Sequence, residues 1–245
     1  MQAIFLEDEG KINSFVASIS KPRLTKYLQE SGGKMKDALL LYHWNSQLSQ
    51  ALYLPLQSWE IALRNKLNDF LCFKYGPNWP YDPRAVRNLT GKDARRLQET
   101  IGRQTIDRNG VPPTTNQIVA DLSAGFWVSQ LGTSYAVPYG WHNNLKWRVF
   151  TNDQTMTREV AAGICNDLLD LRNRVAHHEP IFLRPLDAMK ADLDDILNAL
   201  CAGTAAYMAS ACSFAEIWAA KPGTQILLGE IEPKKIEGAS GTAGV

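Results

Sequence analysis

Residues 157–180 read TREVAAGICNDLLDLRNRVAHHEP. Val160, Ile164 and Leu168 recur at the helical period and form an apolar line, which Cys165, Leu169 and Leu171 widen. The segment therefore predicts one amphipathic helix over 157–178. Pro180 stops it, because proline disfavours helical backbone in the residue before it. The last two turns differ from the rest. Arg172, Asn173, Arg174, His177 and His178 crowd an end where such groups are costly to bury and unnecessary for packing.

The same period governs the flanks. A first helix is expected over 14–30, with Pro22 as a break point and Gly32-Gly33 as its terminator. The next runs over 34–75, where Pro55 should kink or split it, since proline lacks an N–H and crowds the carbonyl four residues back. Gly76, Pro77, Pro80 and Pro83 mark an irregular connection. Helices over 91–107 and 115–131 follow, separated by Asn109-Gly110-Val111-Pro112-Pro113. Residues 132–152 read as a structured loop with a short helix near Leu145, and a last long helix covers 185–219. Neither a strand pair nor a fixed-period repeat is apparent. The expected class is all-α, with residues 1–222 as a single helical domain and 223–245, rich in Gly, Lys, Glu and Ser, as a flexible C-terminal tail.

Bulk composition narrows the function classes. Across 245 residues, 45% are hydrophobic and 21% charged, as in ordinary globular proteins. A formal net charge of +1 provides no global field for nucleic acid, so RNA binding would need a local patch. Cys72, Cys165, Cys201 and Cys212 follow no metal-ligand spacing and read as inert core thiols, which suits a reducing cytoplasm. Ile4, Phe5 and Leu6 are followed at once by Glu7, Asp8 and Glu9, unlike the apolar core of a secretion signal. Residues 196–215 carry no charge but are mostly small. They read as a buried or interface helix, with Ala202, Ala206 and Ser210 allowing close approach, and no membrane association is expected.

Two of the four histidines are the adjacent pair His177 and His178. On a continuous helix, Asn173 and His177 share a face, Arg172 lies beside it, and His178 stacks over Arg174. A helix C-terminus favours positive charge and so the protonated form of a histidine there. These are the groups that RNA cleavage needs. RNA carries its own nucleophile, the 2′-hydroxyl, so an enzyme must remove that proton, protonate the 5′-oxygen and neutralise the phosphate. Histidine suits the proton transfers and arginine's planar fork suits the phosphate. This chemistry requires no metal or other cofactor.

The motif Arg172-Asn173-x-x-x-His177 resembles the signature of the HEPN RNases, and LRNRVAHHEPIF resembles the Abi-like (abortive infection) family within that superfamily. Supporting stretches are YHWNSQLSQALYLPLQSWEIALRNKL at 42–67, FWVSQL at 126–131 and YGWHNNLKWRVF at 139–150, and the resemblance covers roughly residues 20–215. It implies a HEPN-type helical bundle with additional N-terminal helices. It also implies a metal-independent endoribonuclease that acts as a cytoplasmic toxin or antiviral effector, with Arg172, Asn173 and His177 catalytic. The implied partners are the RNA substrate, a second copy of the chain, and an antitoxin (protein or RNA) or a phage-derived trigger. In such enzymes two Arg/His motifs meet across a dimer, which would relieve the separation of about 140° between Arg172 and His177 around one helix. The rival readings are a silent HEPN module that binds RNA or nucleotide, and a protein-interaction module.

Four further residues stand as possible supports. His178 is either a cap or a proton carrier, and Glu60, Arg64 and Asn65 repeat an Arg-Asn pair. Glu60 and Arg64 stand at i, i+4, where an ion pair supporting the helix is the default, and Glu60 holding Arg172 or Arg64 is the alternative. Arg84, Arg87, Arg95 and Arg96 belong to a basic stretch suited either to RNA phosphates or to a solvated helix face. The aromatics Phe126, Trp127, Tyr135, Tyr139, Trp141 and Trp147 are expected in the core more than on bases.

Overall fold

The computed structural model describes residues 3–222, and the expected tail at 223–245 lies outside them. The protein is all-α, with no strand among the described residues. Its helices are α1 (Ala3–Leu6), α2 (Glu9–Ile19), α3 (Lys21–Glu30), α4 (Met35–Tyr75), α5 (Pro83–Asn88), α6 (Gly91–Asp107) and α7 (Thr115–Asp121). They continue with α8 (Ala124–Ser129), α9 (Ala136–Tyr139), α10 (Trp141–Asn144), α11 (Arg158–Ala176), α12 (Leu186–Leu200), α13 (Ala202–Ala211) and α14 (Phe214–Ala219). The described residues divide into two compact units, one drawn from residues 3–44 and 216–222, the other being Asn45–Ala215.

In the first unit, Ser20 takes a φ of 73° and divides the expected first helix, which leaves Pro22 in the opening turn of α3 where its missing N–H costs nothing. Ile12, Val16, Leu24 and Tyr27 face inward, Tyr42 packs its edge between Phe15 and Tyr27, and Trp44 stacks on Trp218 while donating to the Ile217 carbonyl at 2.7 Å.

In the second unit, α4 is not split at Pro55. The ring removes the hydrogen bond that would reach the carbonyl of Ala51, and the Cys212 thiol donates to that oxygen instead, at 3.7 Å. Three other expected elements change. The helix over 115–131 breaks at Leu122 and Ser123, both in extended backbone, giving α7 and α8. Residues 133–149 hold a 3-10 turn, α9, α10 and one π turn over Leu145–Val149. The long helix over 185–219 becomes three, because Cys201 and Cys212 adopt extended φ and ψ. Along α13 only Met208 is buried. Ala202, Ala206 and Ser210 are exposed, so of the two expectations for these small residues, a buried or an interface helix, the buried one does not hold along α13. Among the described residues no helix is long and apolar enough to cross a membrane.

The core of this unit is aromatic. Phe126, Trp127, Tyr135, Tyr139 and Trp141 are buried, as expected, while Trp147 is exposed. Phe70 of α4 packs on Tyr139 and Trp141 with ring centres 5.4 and 4.4 Å apart. Burial raises the phenol of Tyr139, which donates to Gln130 Oε1 at 2.7 Å. Of the four free cysteines only Cys165 is fully buried, and desolvation pushes its thiol up to about 12.

Candidate active site

Helix α11 begins at Thr157, whose hydroxyl accepts from the Val160 amide. Its buried stripe is Ala161, Cys165, Leu168 and Leu171, one step round from the predicted line. Val160 is exposed and Ile164 half-buried, because α8 and α12 pack against the neighbouring face. Arg172 follows the last buried leucine and so emerges at the edge of the packed face.

The end of the helix is a six-residue turn. The amide of Glu179 donates to Arg174 O at 2.8 Å, and that of His178 to Val175 O at 3.1 Å, the Schellman pattern. His177 is the C-cap, and His178 occupies the next position with a left-handed φ of 56°. The helix has therefore ended before His178, which does not stack over Arg174 as a continuous helix would have placed it. Arg174 instead pairs with Asp170 and Glu179, at 3.2 and 3.0 Å. Beyond the turn, buried Asn45 of α4 accepts the amides of Ile181 and Phe182 at 2.7 and 3.2 Å, pinning the returning chain.

One ion pair joins α11 to α4 within the site. Arg172 Nε donates to Glu60 Oε2 at 2.9 Å, with both side chains partly exposed. Glu60 thus holds Arg172 rather than making the default pair with Arg64, whose Nε reaches its neighbour Asn65 at 3.4 Å. Glu60, Arg64, Arg172 and His178 together line a cavity of about 760 Å³. His177, Asn173 and Asn65 are exposed and do not line it. The histidine that lines this cavity is thus His178, one residue beyond the one that the spacing motif selects.

The cavity also has a wall that the motif search missed, formed by Ser49, Gln50, Tyr53 and Gln57 of α4. Its signal lay in the spacing 53, 57, 60 and 64, steps of four, three and four that place these residues on the face of Glu60.

No family model matches the chain, and neither a curated protein nor a solved structure matches it.

The other arginines proposed for RNA divide into two pairs. Arg84 is engaged with Asp82, which its guanidinium holds down at about 2, and Arg96 pairs with buried Asp93 at 3.0 Å. Arg87 and Arg95 are exposed on α5 and α6. Among the described residues no three His, Cys, Asp or Glu side chains group closely enough to hold a metal ion. A smaller cavity, about 460 Å³, lies before α11 and is bordered by Trp141, His142, Lys146 and Met156.

Proposed function

We propose that this chain is a metal-independent endoribonuclease, acting on single-stranded or loop RNA at the cavity between α4 and the end of α11. The observation that carries the reading is the Glu60–Arg172 pair on a wall shared with Arg64 and His178. Glu60 uses one oxygen on Arg172 Nε and Asn173 Oδ1 accepts from Nη1 at 3.5 Å, which together fix the guanidinium plane and leave Nη2 for a phosphate. Arg64 adds a second positive charge at the same wall. The His178 imidazole, which lines the same cavity, suits proton transfer at the 2′-hydroxyl or the 5′-oxygen.

In the reaction the 2′-oxygen attacks the adjacent phosphorus and the bond to the 5′-oxygen breaks. The 2′-proton passes to a base, and an acid protonates the leaving oxygen. The products are a 2′,3′-cyclic phosphate and a 5′-hydroxyl. His178 takes one proton role. A two-fold axis beside residues 172–178 would place the histidines of a second copy near the same phosphate and supply the other. The resemblance to Abi-like proteins supports the same activity and adds its setting, growth arrest or abortive infection under the control of an antitoxin or phage trigger.

The test is incubation of purified protein with mixed RNA in EDTA. Fragments ending in 2′,3′-cyclic phosphate are expected, and DNA or 2′-O-methylated RNA should resist. Activity lost on chelation and restored by Mg²⁺ or Mn²⁺ would overturn the mechanism. Mixing wild-type chains with His178→Ala chains tests the second copy. A shared site makes activity per wild-type chain fall, whereas self-contained sites give a proportional response.

A further inference from the structure

The cleavage chemistry uses one end of the cavity and leaves the other without a task. Along α4, Tyr53 stands seven residues before Glu60, about 10 Å along the helix axis. Its side chain is 61% exposed on the cavity wall, so packing does not account for a large aromatic ring at this position. Gln50 and Gln57 stand one turn to either side of it on the same face and line the same cavity. Each amide offers both a donor and an acceptor. Toward Glu60 the cavity carries the guanidinium groups of Arg64 and Arg172 against a single carboxylate, and His178 lines the same cavity. One cavity therefore presents groups for an anion, and, about 10 Å along α4, a flat ring with a polar amide on either side of it.

We propose that Tyr53, flanked by Gln50 and Gln57, is a base-binding platform that stacks an unpaired nucleobase of the RNA strand whose phosphate lies at Arg172. The inference rests on the ribonuclease reading and deepens it, because it names what the strand must present. A base inside a duplex is covered on both faces by its neighbours, whereas an unpaired base can lie flat on the phenol. The ring accepts any base, and the two amides supply preference through the Watson–Crick edge. Tyr53 is a binding residue and takes no part in the proton transfers.

Binding of a fluorescent, 2′-O-methylated octanucleotide, followed by anisotropy with the full chain, separates the inference from the reaction. Tyr53→Ala should weaken binding by about 5- to 150-fold, the range for losing one base stack. Tyr53→Phe, which keeps the ring, should restore affinity to within about threefold. An octanucleotide made abasic at the stacked position should bind the wild type as weakly as the intact one binds Tyr53→Ala, and should be insensitive to that substitution. The proposal is overturned if Tyr53→Ala binds the intact strand like wild type, or if it weakens intact and fully abasic strands equally. It is also overturned if a nucleoside monophosphate binds as tightly as the octanucleotide, since the occupant is then a free nucleotide. If Arg172→Ala weakens binding and Tyr53→Ala does not, the platform alone falls. If the platform passes and no RNA is cleaved, it stands and the nuclease reading falls. If the wild type binds no RNA, both fall.

Discussion

At the end of α6 the amide of Gly110 bonds to Thr105 O, and at the end of α11 that of Glu179 bonds to Arg174 O, each at 2.8 Å. The residue inside each turn is left-handed, Asn109 with φ 53° and His178 with φ 56°. Asparagine suits such a position, whereas a histidine side chain costs about 1 kcal/mol there. Both helices also carry an arginine held by a carboxylate. On α6, Asp93 is 2% exposed and accepts from Arg96, Ser129 and Tyr135 at 3.0, 2.7 and 2.7 Å. On α11, Arg172 meets a half-exposed Glu60 that opens on a cavity. The carboxylate–arginine pair is enclosed by further hydrogen bonds in one helix and borders a cavity in the other.

That contrast breaks most sharply at Asp93. Asp93→Ala removes the acceptor shared by Arg96, Ser129 and the buried Tyr135 and should cost about 1–3 kcal/mol in urea unfolding, the scale for leaving a buried polar group unsatisfied. A cost under 1 kcal/mol would show that the α6 network is not the structural member of the comparison.

Arg172→Ala should do the reverse. Cleavage should fall by about 100-fold or more, while stability changes by no more than about 1 kcal/mol, as for partly exposed ion pairs. Glu60→Gln should lower the rate less than Arg172→Ala does, since it acts through the arginine. A larger loss at Glu60 would make the carboxylate itself a reacting group.

His178→Gly sharpens the comparison because stability and activity should move in opposite directions. Relief of the left-handed strain should raise the melting temperature by about 1–3 °C, and cleavage should fall by about 100-fold. A variant that melts lower would remove the strain from the comparison, and one that retains activity would return the proton-transfer role to His177. Asn109→Gly gives the smallest effect, a few tenths of a kcal/mol at most, with cleavage unchanged.

Much of this was legible in the chain. The helices at 91–107 and 157–178 could be read because their caps, Thr90 and Thr157, and their terminators are local signals. Arg172 was found by its unusual placement at the end of an apolar stripe. The choice between His177 and His178 was not legible, since it depends on where the helix stops hydrogen bonding, and neighbouring assignments differ by one residue at any helix end. Partner selection was equally hidden. Glu60 has Arg64 one turn away and Arg172 far along the chain, and only the packing of α11 beside α4 decides for the second. Arg96 looked like a phosphate contact because its partner Asp93 becomes buried only once Ser129 and Tyr135 close over it.

The Glu60–Arg172 pair spans 112 residues, and that interval has a temporal meaning. At translation speeds of about 5–20 residues per second, the acidic half of the site leaves the ribosome about 6–22 s before the basic half. Through that window the α4 side of the cavity lacks its facing wall, so the cavity is complete only once the segment that ends at His178 has emerged and docked.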